Sequence, residues 1–216
     1  TFKNHGTLDI KIGARSTFAY LDGNATTTLK EFFNLNPAKV TIIENMGANS
    51  SLVYANNQAN ALLDADLTID KGDAAASTIA LLATNKSSVT VDTGKKLTTN
   101  TQVALAAVNA TTTAGNGSTA ENKGTITING PKSTAVYNTG HFLMDNATAK
   151  INVKGSQSIG LYAKGIDTTH TKTELKQGTI KSEDGAVGLY SDEANVTLDN
   201  TSNNLKLVAG NGGLLF

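Results

Sequence analysis

The stretch Gly124-Thr-Ile-Thr-Ile-Asn-Gly130, followed at once by Ser133-Thr-Ala-Val-Tyr137, decides the fold. Ile126 and Ile128 alternate with threonines, the period-two pattern of a strand that buries one face. A Gly/Asn corner ends it and a second short strand follows. The same order returns in Ala149-Lys-Ile-Asn-Val-Lys-Gly155 with Ser158-Ile-Gly-Leu-Tyr162, and in Gly178-Thr-Ile-Lys181 with Gly185-Ala-Val-Gly-Leu-Tyr190. Neither strand can bury its face alone. A hairpin would pair the two antiparallel through a tight turn, yet they carry different signatures and each resembles its counterpart in the next copy. Like therefore stacks on like, about 4.8 Å apart, as a parallel coil around a narrow apolar column.

Working outward, Thr7-Leu-Asp-Ile-Lys-Ile12 leads to Ser16-Thr-Phe-Ala-Tyr20, and Val40-Thr-Ile-Ile43 to Ser51-Leu-Val-Tyr54. Asp66-Leu-Thr-Ile69 precedes Ser77-Thr-Ile-Ala-Leu-Leu82, Ser88-Val-Thr-Val91 precedes Val103-Ala-Leu105, and Val196-Thr-Leu198 precedes Leu205-Lys-Leu-Val208. The count is about eight imperfect rungs. Spacings are unequal: 25 residues from Ile128 to Val153, 27 to Ile180 and 18 to Leu198. Extra residues leave at corners as loops, and three excursions are expected: Leu29 to Ala38, Asn109 to Asn122, and Gly165 to Gln177. The Ala-rich Gln102 to Ala107 suits a helix locally, but its alternation fits a narrow rung and it is read as strand. Alternation puts Ile159 and Leu161 inward and Tyr162 outward, so Tyr20, Tyr54, Tyr137, Tyr162 and Tyr190 are expected as an external ladder whose first role is to stabilise the coil.

Bulk composition agrees with many short strands. In 216 residues there are 20 Gly and 2 Pro, with charged residues at 17% and aromatics at 5%. Eighteen basic side chains balance eighteen acidic ones, so no basic field attracts nucleic acid or anionic lipid. The absence of cysteine removes thiolate metal sites, thiol nucleophiles and disulfides together. No apolar run reaches the ~20 residues that span a bilayer, and no contact of this segment with membrane is expected. The chain opens at Thr1-Phe2 and ends on Gly213-Leu-Leu-Phe216, which reads as one β-helix segment, residues 1–216, of a longer protein, without N- or C-terminal cap.

Reactive chemistry is sought and not found. His5, His141 and His170 show no metal-ligand spacing, tandem Gly-Gly-x-Gly-x-Asp calcium repeats are missing, and Gly115-Asn-Gly117 and Gly210-Asn-Gly-Gly213 lack a phosphate-cradle context. No Gly-x-Ser-x-Gly elbow occurs. Two acidic clusters, Asp64, Asp66, Asp70, Asp73 and Glu183, Asp184, Asp192, Glu193, could host carboxylate-pair sugar cleavage but sit at strand ends, where solvated acids are ordinary. No catalytic, metal or cofactor residue is assigned. Lys71-Gly72-Asp73 resembles a short integrin-recognition tripeptide but reads as a polar turn, and sequons such as Asn146-Ala-Thr148 follow from a chain rich in Asn and Thr. For binding, the excursions offer Phe32, Phe33, His170 and Lys172 as candidate contacts.

The units Gly124 to Tyr137 and Lys150 to Ala163 resemble the passenger repeats of type V autotransporters, and are most similar to those of the large fusobacterial outer-membrane adhesins, the RadD-like group. The resemblance implies a right-handed parallel β-helix, secreted through a C-terminal barrel and held on the surface of a Gram-negative cell. It implies no cofactor and no catalytic residues, and partners that are proteins or glycans on other bacteria or host cells. A β-helical polysaccharide lyase or hydrolase and a passive spacer are the alternative readings.

Overall fold

The structure is a computed structural model that describes residues 8–32, 41–69, 77–109, 117–166 and 171–216. It is all-β: twenty strands and a single four-residue helix, Leu29–Phe32, among the described residues. Every strand pairing is parallel. The chain is thus a parallel β-solenoid, and residues 103–108 are strand, as read from their alternation.

Each coil holds three strands rather than two. The first face stacks Leu67–Ile69, Lys96–Thr99, Thr125–Ile128, then the second halves of His141–Val153 and Lys172–Ser182, then Leu205–Ala209. Leu8–Ile12 and Thr41–Met46 form a separate pair. The second face is one sheet of seven strands: Thr17–Asp22, Ser51–Asn56, Ile79–Thr84, Val103–Val108, Thr134–Asn138, Ile159–Lys164 and Val187–Asp192. The third face runs Thr26–Thr28, Asn60–Leu63, Ser88–Val91, Thr119–Asn122, the first halves of the two long strands, and Asn195–Leu198. The long strands bend from third face to first through register breaks at Asp145.

The third face corrects three sequence expectations. Ser88–Val91 and Asn195–Leu198 belong to it, and Leu205–Ala209 to the first face, because alternation identifies a half-buried strand without saying which wall it joins. True neighbours on the first face are Leu67, Leu97, Ile126, Ile151, Ile180 and Leu207, in steps of 30, 29, 25, 29 and 27 residues. The excursions also shrink. Thr119–Asn122 and residues 172–177 are strand, and Leu29–Phe32 is a helical turn whose Leu29 is buried beside Asn60–Leu63.

The core is what the threonine–isoleucine alternation demands. Leu97, Ile126, Ile151 and Ile180 are fully buried on the first face and Val89, Ala120, Phe142 and Leu175 on the third, while the intervening residues face out. Each large aliphatic so buried contributes ~1.5–3 kcal/mol against the entropy of ordering its strand. The second face departs from simple alternation. Five of its seven strands bury two consecutive residues, a small one then a larger one: Ala80-Leu81, Ala104-Leu105, Ala135-Val136, Gly160-Leu161 and Gly188-Leu189, while Ser51–Asn56 buries Leu52-Val53 and Thr17–Asp22 buries Ala19 after an exposed Phe18. Ile159, expected inward, is therefore half-buried on the outer side with Tyr162. At Gly160 the first inward position stays small for a steric reason. A Cβ on Gly160 would run into the carbonyl oxygen of Gly188 in the next coil and press on Val153 and Ile180.

Polar residues make the corners. Before six of the seven second-face strands, all but Val103–Val108, one non-glycine residue takes left-handed φ: Arg15, Asn49, Ser77, Lys132, Gln157 and Asp184, at 53–57°. Beside them the buried Ser158 hydroxyl accepts the Ser133 N–H at 3.0 Å and donates to Gly130 O at 3.0 Å, which explains the serine that opens the strand signature. Gly155 is required where coils touch, since its Cβ would overlap the Gly130 carbonyl. Asn138, fully buried, donates to Lys172 O at 3.0 Å and Thr173 Oγ1 at 2.8 Å and accepts Gly140 N–H at 2.9 Å, joining two coils through one side chain. Asn122 repeats the device with Lys150 O and Gly124 N–H.

Candidate functional site

With the interior closed by aliphatics, function falls to the outer walls. On the second face two main columns of residues look outward, three apart, and the strand ends add a third outward position that holds Asp22, Asn56, Lys164 and Asp192. In register, one column reads Thr17, Ser51, Ile79, Val103, Thr134, Ile159, Val187; the other reads Tyr20, Tyr54, Leu82, Ala106, Tyr137, Tyr162, Tyr190. All five tyrosines of the protein lie on this wall. They pack edge to face, with centroids 5.3 Å apart for Tyr20–Tyr54, 5.4 Å for Tyr137–Tyr162 and 5.1 Å for Tyr162–Tyr190. The expected ladder is real but broken. Leu82 and the buried Ala106 divide it into a pair and a triplet.

The phenol oxygens reach one rim of the wall. Tyr20 Oη accepts from Asn56 Nδ2 at 2.7 Å, Tyr54 Oη from Thr84 Oγ1 at 3.1 Å, and Tyr162 Oη donates to Asp192 Oδ2 at 3.3 Å. Burial, reinforced by the Asp192 carboxylate, pushes the Tyr162 phenol above its ordinary pKa. It stays a neutral donor throughout the physiological range.

The third-face wall is charged. His141 and Lys172 are register neighbours, and both reach Glu174: His141 Nε2 at 2.8 Å and Lys172 Nζ at 2.9 Å from Oε2. Lys176 Nζ lies 3.8 Å from the other oxygen and 3.9 Å from Asp145, which also accepts Gln177 Nε2 at 2.8 Å. The Lys172 hydrogen bond, opposed by partial burial and assisted by His141, holds the Glu174 carboxyl below the usual glutamate range. Lys172, a candidate contact from sequence, is thus a strand residue paired across the wall. The pairing of His141 with Glu174 was not legible in sequence, because 33 residues separate them and only the third-face register brings them together.

Of the other candidates, Phe32 ends the short helix, while Phe33 and His170 lie outside the described residues, as do His5, Asp70, Lys71, Gly72 and Asp73. The acids that are described serve corners. Asp64 accepts Lys30 N–H at 2.8 Å, Asp66 accepts Lys96 N–H at 2.9 Å, and Glu183 forms an ion pair with Lys181. Asp184 takes the left-handed corner position and Asp192 meets Tyr162. Among the described residues no three of His, Asp and Glu gather as a metal-holding group, and no helix is long and apolar enough to cross a membrane.

Fold and walls together define a parallel β-solenoid with one aromatic and one ion-paired flank. In comparison with known proteins, the chain matches no family model, no curated protein and no solved structure.

Proposed function

We propose that this solenoid is a passenger segment of an adhesin on the surface of a Gram-negative bacterium, holding its outer walls as contact surfaces for proteins or glycans of other bacterial or host cells. One observation carries the reading. The repeat places like side chains in long columns on outer walls, with all five tyrosines on a single wall, while the described acids and His141 are engaged in corners and cross-coil pairs. Columns of repeated contacts suit many weak, simultaneous interactions with an extended partner, whose avidity exceeds that of any single contact. The similarity of Gly124 to Tyr137 and Lys150 to Ala163 to autotransporter passenger repeats points the same way.

The test is adhesion by the chain itself. Beads coated with residues 1–216 are expected to hold bacterial or epithelial cells, and soluble chain to compete. Beads that hold no cell type tried would leave the spacer reading in its place. Sugar release from a panel of polysaccharides, lost on substituting Asp64, Asp66, Glu183 or Asp192, would instead establish the β-helical enzyme.

A further inference from the structure

The three outer walls differ in charge. The first carries Lys96, Lys150, Lys181 and Lys206, and the third His141, Lys172 and Glu174, whereas the two main outward columns of the second hold no ionisable group except tyrosine and its charges, Asp22 and the register pair Lys164 and Asp192, stand at the rim. From Ser51 and Tyr54 to Val187 and Tyr190 this uncharged strip covers five rung steps, roughly 24 Å long and about 10 Å wide at ~4.8 Å per rung and ~3.3 Å per residue. Its area is then on the order of 240 Å², well short of the ~800 Å² that each partner gives to a stable protein–protein interface. A second copy or another folded protein is too broad an occupant for it. A narrow, neutral, linear chain matches it in length, width and charge.

The chemistry of the strip selects the kind of chain. Ile159, Val187 and the tyrosine rings offer apolar surface, and Tyr190 is 47% exposed. Along one edge run the phenol oxygens with the amide of Asn56, the hydroxyl of Thr84 and the carboxylate of Asp192. A pyranose ring has the same division, a C–H face and a hydroxyl rim, and its length is close to one rung. We propose that the second-face wall, centred on Tyr137, Tyr162 and Tyr190, binds a neutral linear oligosaccharide laid along the solenoid axis, about one sugar per rung. This rests on the adhesive reading above and names its ligand class.

The protein supplies its own probe. It has no tryptophan and its five tyrosines all lie on this wall, so intrinsic emission near the tyrosine band reports this surface. Titration with hexasaccharides of β-1,4-glucose, α-1,4-glucose and N-acetylglucosamine is expected to give a saturable change with at least one, and none with a polysulfated or uronic hexasaccharide. Ile159→Glu leaves every tyrosine in place and is expected to weaken binding about tenfold or more. Val187→Lys repeats the test should the first variant lose its far-ultraviolet strand signal. No response to any neutral hexasaccharide, equal binding by both charged variants, or a dimer in sedimentation that Ile159→Glu dissociates would each overturn the inference. Bead adhesion that no neutral hexasaccharide competes for defeats the glycan site and leaves the adhesive reading standing. Oligosaccharide binding without bead adhesion does the reverse.

Discussion

The first and second faces use the same parallel pairing but divide their residues differently. Thr125–Ile128 sends one residue out for each one in, whereas Ile159–Lys164 sinks Gly160 and Leu161 together. An alternating strand accepts any β-former outside and any fitting aliphatic inside. At Gly160 the first of two consecutive buried positions lies against the backbone of the next coil and only a small residue fits, whereas the early strand Ser51–Asn56 takes Leu52 at the same position. The first face is permissive and the second, around Gly160, is specific. That difference also places the tyrosines, since the outward position after the buried pair has the room that the inner wall denies.

The sharpest way to break this contrast is volume. Gly160→Val is expected to destabilise by about 3 kcal/mol or more, lowering Tm by roughly 6–12 °C, while Thr125→Val on the outer side of the first face stays within about 0.5 kcal/mol. Similar melting curves for the two would erase the distinction. Next comes the exit from the second face. Asn138→Ala strands the Gly140 N–H and removes both bonds to the following coil, and its denaturant midpoint is expected to fall by the equivalent of about 2 kcal/mol.

One corner should improve. The Ser87 hydroxyl is buried without a hydrogen-bond partner, and the preceding coil has Ala59 in that place. Ser87→Ala is expected to raise stability by about 1 kcal/mol, roughly 3 °C in Tm. No gain would mean that the hydroxyl is satisfied in solution.

The smallest effect belongs to the third face. Because Lys172 and His141 hold the Glu174 carboxyl low, its contribution to stability is present above the ordinary glutamate pKa and is lost as pH falls through the lowered, folded-state value. The stability gap between the native chain and Glu174→Gln, under about 1 kcal/mol at neutral pH, is expected to close on acidification below about pH 4. A gap that widened in acid would reverse the assignment.

The difference between faces also explains what could be read from the sequence. Thr125-Ile-Thr-Ile128 declares a half-buried strand, and the Gly-Leu-Tyr ending marks the second face because it recurs at one register position of that wall alone. The third face has no such mark. Asn60–Leu63, Ser88–Val91 and Thr119–Asn122 share no residue signature, and Ser88-Val-Thr-Val91 alternates as Thr125-Ile-Thr-Ile128 does, so it passes for a first-face strand. The outward turn of Ile159 was hidden for a related reason: strict alternation cannot anticipate two inward residues in a row. Among the site residues, the tyrosine column was legible from its spacing. Its break at Leu82 and Ala106, and the His141–Glu174 pair, became visible only with the register.

The three-strand coil is tested most directly by cross-linking, and the absence of native cysteine makes the background clean. Thr98 and Thr127 are register neighbours on the first face, and Thr90 and Glu121 on the third. Under oxidation, the Thr98→Cys/Thr127→Cys and Thr90→Cys/Glu121→Cys pairs are expected to close disulfides, and Thr90→Cys/Thr127→Cys to stay reduced, since only adjacent strands bring Cα atoms within about 7 Å. Closure of the Thr90–Thr127 pair, with Thr98–Thr127 left open, would return Ser88–Val91 to the first face and contradict the coil described above.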